Sequence, residues 1–244
     1  NKNIVISQWN EDPIMKSFKD SKANIQKISY YENIADHNFI TTHPSVFLKQ
    51  NKNINNLHFM FIPVDKNIEC FDVFNLKPRK DIFYAMSHGV NRATLKKGKS
   101  DSRIYFLNSL IKKINGINYD FYGFENKEPI WGDSFYNALT NSKMGLNLSR
   151  GLPTKYYSSN RIASLIGNGL MTFIDKRTSL NEIFNSKEVV FYTSIDDLSS
   201  KIKFYKGKDS LRKQIARKGK NKYFKLFNEK RVSNYILKKS FGKD

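Results

Sequence analysis

The chain has 244 residues, 39% hydrophobic and 14% aromatic, a folded composition with room for one large domain or two smaller ones and not a disordered one. Its formal net charge of +20 directs attention to anionic partners and says nothing of fold. A single cysteine, Cys70, excludes an internal disulfide; with no Cys/His cluster at metal-ligand spacing we expect no bound metal and a reducing, cytoplasmic compartment, and no apolar run approaches the roughly 18 to 20 residues that span a bilayer.

Ile4 to Trp9 is a short run with β-branched residues and reads as a strand, with a helix from about Pro13. The run begins without an initiator Met, and we expect the first elements of its domain to lie upstream. Asn38–Thr42 and Leu57–Pro63 are further strands, separated by a short helical patch. Asp65 to Lys80 shows no sustained periodicity and is the candidate linker. From Asp81 the pattern changes to regular alternation: strand Asp81–Met86, a helix from Asp101 or Ser102 with Ile104, Leu107, Leu110, Ile111 and Ile114 at helical spacing, and strand Tyr119–Gly123. Helix Ser134–Asn141, strand Met144–Leu148, helix Ser158–Gly167 and strand Leu170–Ile174 follow. A short helix at Leu180–Phe184, strand Val189–Tyr192 and helices near 195–205, 209–227 and 231–239 complete the chain. Alternation with short connections implies an α/β fold whose parallel sheets carry helices on both faces. The boundaries read as 1–72, 73–226 and a helical tail, 227–244.

In such sheets a ligand lies beyond the carboxyl ends of the strands. After the Phe83 strand, Ser87, Gly89, Asn91 and Arg92 supply close backbone approach and a planar cation for phosphate oxygens, or a solvated surface turn. Before the helix at 158–167, the hydroxyls and amide of Tyr157, Ser159 and Asn160 surround a helix N-terminus. Its dipole, with Arg161 in the first turn, suits a diphosphate; otherwise Arg161 caps a packing cleft. Gly123 and Trp131 are candidates for shaping a pocket for a base, and Asp175 or Glu182 for accepting sugar or ribose hydroxyls. As general-base candidates, Asp36, His37 and His43 qualify by residue type alone.

Lys143 to about Leu237 resembles the C-terminal domain of GT-B glycosyltransferases, specifically the group 1 type related to the CgeB-like branch. The resemblance rests on Ser142–Leu148, on Ser159–Leu170 with its Arg, helix and small-Gly turn, on Leu180–Phe184, Glu188–Tyr192 and Asp197-Leu198, and on Arg212–Phe227 with Arg231. It implies two Rossmann-like domains with the N-terminal, acceptor-side one incomplete, and transfer of a sugar from a nucleotide-sugar to an acceptor hydroxyl in surface polysaccharide or glycan synthesis. It implies no cofactor besides the nucleotide-sugar co-substrate, no metal, and a glycan or lipid-linked acceptor. Asn160 and Arg161 would face the diphosphate; Glu182 falls near the family's donor-binding acid, although the usual paired-Glu spacing is not present.

Two other readings remain open. A non-catalytic nucleotide- or sugar-binding relative would share the fold. From Ser200 onward sixteen Lys or Arg face three acids, which suits a peripheral membrane position on anionic lipid. Nucleic acid is the weaker reading of that charge, because no RNP, KH or zinc-finger pattern accompanies it.

Overall fold

The computed structural model describes residues 4–12, 25–26, 28–30, 34–48, 56–87, 94–95 and 99–242. The first sheet is parallel and consists of β1 (Ser7–Asn10), β2 (His37–Ile40) and β3 (Leu57–Phe59), in that spatial order. Ser7 lies opposite His37 and Asn38 opposite Leu57, and a short helix α1 (Pro44–Leu48) follows β2. The helix expected from Pro13 falls outside the described residues.

The second sheet uses β4 (Lys80–Ala85), β7 (Tyr119–Tyr122), β8 (Ser142–Asn147), β9 (Met171–Asp175) and β10 (Val190–Tyr192), all parallel; a small antiparallel pair, β5 (Thr94–Leu95) and β6 (Lys99–Ser100), lies between β4 and β7 in the chain. The spatial order is β10-β9-β8-β4-β7. The chain starts in the interior at β4, goes out to the edge at β7, and returns past its start to β8. Between β4 and β8 the winding reverses, and at such a switch point the loops above the two strands part and leave a crevice.

The helices are α2 (Ser102–Ile111), α3 (Gly132–Thr140), α4 (Arg161–Gly167), α5 (Ile195–Lys206), α6 (Asp209–Phe227) and α7 (Glu229–Phe241). Strand alternation distributes them. Ile82 and Tyr84 face Leu107, Leu110, Leu198 and Ile202 of α2 and α5, whereas Phe83 and Ala85 face Leu139 and Leu165 of α3 and α4. Both faces of β4 are therefore covered, which is why it reads as a near-continuous apolar run. Helix α6 packs on α4 and passes the turn before β10 so closely that a Cβ on Gly219 would collide with the Glu188 carbonyl.

Two sequence expectations change. The helix predicted from Ser158 begins at Arg161, because Ser158 Oγ donates to Asn147 Oδ1 and Ser149 Oγ accepts the Ser159 N–H, holding Ser158–Asn160 as a turn. Across 209–227 the apolar spacing of Leu211, Ile215 and Phe224 predicts the inner face, with Arg212 outside it; on α6 the buried positions are instead Arg212, Ile215, Ala216, Gly219 and Tyr223, with Leu211 39% exposed. Arg212 is accommodated by Asp209 at 2.5 Å. The candidate linker, 65–80, runs between β3 of the first sheet and β4 of the second and is packed along its course: Val73 and Phe74 are buried, and the Val73 N–H donates to the Asn168 carbonyl.

The chain passes between the two sheets at one edge. After β3 the chain crosses at Val64, whose N–H donates to the Phe227 carbonyl and whose carbonyl accepts the Glu229 N–H. Helix α7 then lies on the first sheet, with Val232 packed against Phe39 and Met60. Ser240 and Ser7 hydroxyls meet at 2.7 Å.

Candidate active site between the two sheets

At the switch point the carboxyl ends of β4 and β8 are held by one side chain. Arg161 Nε donates to the Ala85 carbonyl at 2.8 Å, and Nη1 donates to the Leu148 carbonyl at 2.9 Å and to Ser159 Oγ at 3.0 Å. Its guanidinium lies 4.7 Å above the ring of buried Tyr84, a stacked cation–π arrangement that suits a delocalised planar cation. Burial, with the neighbouring positive charge of Arg103, pushes the Arg161 guanidinium down from its ordinary value; an arginine nevertheless stays charged. The site thus holds a fixed cation beneath the crevice, tied to backbone and not to a carboxylate.

Above it lies a cleft of about 570 Å³ between the two sheets. Its floor is Ala85, Met86, Ser87, Tyr157, Ser159 and Arg161. Trp131, Phe135 and Tyr136, around the start of α3, form one wall, and Glu11 and Asp12, beyond the carboxyl end of β1, form the opposite rim. Trp131 is 61% exposed, a large aromatic face with no packing role that would hide it. Tyr157 is buried, and burial, with Asp12 nearby, pushes its hydroxyl up to about 12, so it remains a neutral hydrogen-bonding group. Asn160 Nδ2 donates to Glu11 Oε2 at 2.7 Å across the cleft. The first-turn amides of Ile162 and Ala163 already bond the Ser159 and Asn160 carbonyls, so this helix end offers an anion fewer free N–H groups than its sequence implied.

Of the residues singled out from sequence, Ser87, Trp131, Tyr157, Ser159, Asn160 and Arg161 come together in this cleft. Gly89, Asn91 and Arg92 lie outside the described residues. Gly123 ends β7 with φ 72°, its N–H bonded to the Lys127 carbonyl, and does not line the cleft. Asp36 sits at the amino end of β2, where its carboxylate accepts the Ile6 N–H at 2.9 Å, whereas the cleft opens at the carboxyl ends. His37 is also at that far end, its Nδ1 3.1 Å from His58 Nε2.

Neither His43 nor Glu182 lines the cleft; both lie against Tyr156. The His43 N–H donates to the Lys155 carbonyl, and its ring lies edge-on to Tyr156 at 5.1 Å. The Tyr156 hydroxyl donates to Glu182 at 2.5 Å, with Lys155 Nζ 3.3 Å from the same carboxylate. That hydrogen bond first, and then Lys155, hold Glu182 below the usual carboxylate range. These residues form a junction between the sheets. Asp175 is occupied as well, clamping Arg177 at 2.7 Å. The sequence reading missed Glu11, Asp12, Tyr84 and Arg103. Glu11-Asp12 directly follows a strand and was visible to the same carboxyl-end rule; Tyr84 and Arg103 were concealed inside strand and helix. Among the described residues no group of three or more His, Cys, Asp or Glu is arranged around a common point for a metal, and no helix is long and apolar enough to cross a membrane.

This two-sheet architecture with a switch-point cleft between the sheets is the GT-B fold. The profile of the glycosyl transferase-like family matches residues 103–238, more than half of the chain, and the protein belongs to that family. Among solved structures, TarM superposes with a TM-score of 0.67 at 14% identity, covering 98% of this chain and 51% of TarM. Anabaena Alr3699/HepE in complex with UDP-glucose gives 0.67 at 8% identity, with 96% and 71% of the two chains covered. Sucrose-phosphate synthase from Thermosynechococcus elongatus gives 0.59 at 10%, with 95% and 66% covered. The protein thus spans about half the length of TarM. No curated protein matches it by sequence.

Proposed function

We propose that the protein transfers a sugar from a nucleotide-sugar to an acceptor hydroxyl in the cleft between its sheets. The observation that carries this reading is the cation of Arg161, fixed beneath a cleft of about 570 Å³ whose wall presents the exposed ring of Trp131. During transfer the bond from the anomeric carbon to the diphosphate breaks, and negative charge develops on the leaving phosphate. A preorganised cation in a partly desolvated site stabilises that charge most. Ser87 and Ser159 are placed to hydrogen-bond phosphate oxygens, and Trp131 to stack on the base. Gly89, Asn91 and Arg92 join them in this reading by sequence, as the continuation of the Ser87 loop. HepE was crystallised with UDP-glucose, and a TarM variant from S. aureus with UDP, α-GlcNAc-glycerol and Fondaparinux, which makes UDP the first nucleotide to try and a glycan the first acceptor class.

The acceptor approaches from the first sheet. The acids lining the cleft there are Glu11, already engaged by Asn160, and Asp12. We assign to Asp12, in place of Asp36 or His43, the role of taking the proton from the acceptor hydroxyl. A cytoplasmic site of action, a lipid-linked acceptor, peripheral contact with anionic lipid and membership of the CgeB-like branch belong to the same proposal; the sixteen Lys or Arg from Ser200 onward support the lipid contact.

Calorimetric titration with UDP, GDP and inorganic pyrophosphate tests the reading. One nucleoside diphosphate should bind at least tenfold more tightly than pyrophosphate, and Trp131→Ala should remove about 1.4 kcal/mol of that binding, a tenfold loss, without lowering the melting temperature. Equal binding of all three, or an unaffected Trp131→Ala, rejects the cleft as a nucleotide site.

A further inference from the structure

On the α2 side of Tyr157 the ends of β8, β9 and β10 enclose a second cavity, of about 160 Å³. At roughly 30 Å³ per water this is space for about five waters, too little for a nucleotide and enough for an anionic group with the carbon that carries it. Two guanidiniums, Arg103 and Arg177, stand in its wall, and the chain builds both in the same way. In Asp101-Ser102-Arg103 and in Asp175-Lys176-Arg177, the aspartate Oδ1 accepts the arginine backbone N–H at 2.9 Å and its Nε at 3.0 Å. Oδ2 accepts Nη2 at 2.6 Å in the first and 2.7 Å in the second. One segment opens α2 and the other closes β9, and both converge on one cavity. Each clamp occupies the Nε–Nη2 edge of its guanidinium, Arg103 is held by the Tyr84 hydroxyl as well, and the direction of the donors that remain is fixed, the preorganisation that oxyanion recognition requires.

A third observation is independent of the clamps. The Tyr192 hydroxyl, in the same cavity wall, belongs to a side chain 1% exposed and has no hydrogen-bond partner among the described residues. A buried hydroxyl left unmet in an otherwise satisfied wall calls for an explanation, and a bound group is one. The charge balance agrees. Arg103, Arg161 and Arg177 surround this part of the fold against Asp101 and Asp175, and Arg161 is close enough to Arg103 to feel its charge.

We propose that this cavity is a second binding site, which takes a phosphate or carboxylate group between Arg103 and Arg177 with the Tyr192 hydroxyl donating a third hydrogen bond. It is distinct from the nucleotide cleft, stands whether or not that cleft binds nucleotide, and shares one wall with it, the ring of Tyr157.

The test is calorimetric titration of the full chain at constant ionic strength with inorganic phosphate, glucuronate and, as the neutral control, glucose. Phosphate or glucuronate should bind and glucose should not; binding of phosphate alone assigns the site to phosphate, and of glucuronate alone to a carboxylate on a sugar. Tyr192→Phe should weaken the anion about tenfold while its melting temperature stays level or rises, a combination that a purely structural tyrosine would not give. Arg177→Gln, at a side chain 64% exposed, should weaken it likewise, and UDP binding by Tyr192→Phe should match the parent. Absence of binding by both anions, or equal binding to the parent and both variants (an adventitious ion only), overturns the proposal.

Discussion

The side-chain amide of Asn160 reaches the Glu11 carboxylate at 2.7 Å, so a residue at the start of α4 also bonds the first strand's sheet to the second. Both side chains are exposed, and such a bond contributes about 0.5 to 1.5 kcal/mol. Asn160→Ala is expected to lower the melting temperature by roughly 1 to 5 °C at this chain length, read by calorimetry. Glu11→Gln, which keeps an acceptor oxygen, should recover most of the difference. If Glu11→Gln behaves as badly as Asn160→Ala, the tie depends on charge and not on geometry.

Arg161 bridges the Ala85 and Leu148 carbonyls with a rigid fork, and a lysine cannot span both. Arg161→Lys should therefore cost about 2 kcal/mol or more, roughly 4 to 8 °C, although the charge is kept. An unchanged melting temperature accompanied by lost nucleotide binding would place the guanidinium's whole role on the ligand.

Glycine positions give a matched pair. Gly219→Ala drives a methyl into the Glu188 carbonyl, backbone that cannot swing away, and should destabilise by about 2 to 3 kcal/mol. At Gly207 no atom lies within 4 Å of the added methyl. Gly207→Ala should leave stability level or raise it by up to about 1 kcal/mol. Chemical denaturation of the two variants side by side checks both, and equal effects would mean that α6 does not sit as closely on Glu188 as described.

Two histidines set a pH dependence. Burial, then Lys155, lowers His43 from its ordinary 6.5, with Glu182 opposing. Burial, then His37 and Lys239, lowers His58. In both the folded state favours the neutral ring, so the unfolded chain binds more protons just below pH 6.5 and stability falls as the pH drops through that region. It levels off once the folded rings titrate. Melting temperature followed from about pH 7.5 to 5 should decline, and the decline should flatten in a His43→Gln/His58→Gln double variant. A profile indifferent to both substitutions would assign the slope to other groups.

Much of the second sheet was legible in the sequence because its strands are buried on both faces and separated by short turns. β4 and β9 are apolar runs, and α6 was placed residue for residue from 209 to 227. Helix phase was harder. Arg212 lies inside and Leu211 outside because Asp209 and the Lys143 carbonyl receive the guanidinium, a tertiary fact with no trace in the spacing of apolar residues. The site was legible where it depends on chain direction, since Ser87, Ser159, Asn160 and Arg161 all follow strand ends. It was illegible where a partner decides. Glu182 looked like a free acid and is held by Tyr156, which adopts φ 60° to reach it. Asp36 and His37 precede the strand read at Asn38–Thr42, so the same chain-direction rule sets them at its amino end, away from the cleft.

The crossing at Val64 has a mechanical meaning. The outgoing chain and the returning chain at Phe227–Glu229 are bonded to each other through the Val64 N–H and carbonyl, so the two covalent connections between the sheets behave as one short pivot at a single edge. Sliding one sheet past the other would tear that pairing, whereas turning about it would not, and Glu11 and Asn160 line one recess together with Val64 and Glu229, so their bond braces the same crossing. The geometry is that of a hinge with its brace set beside the pin.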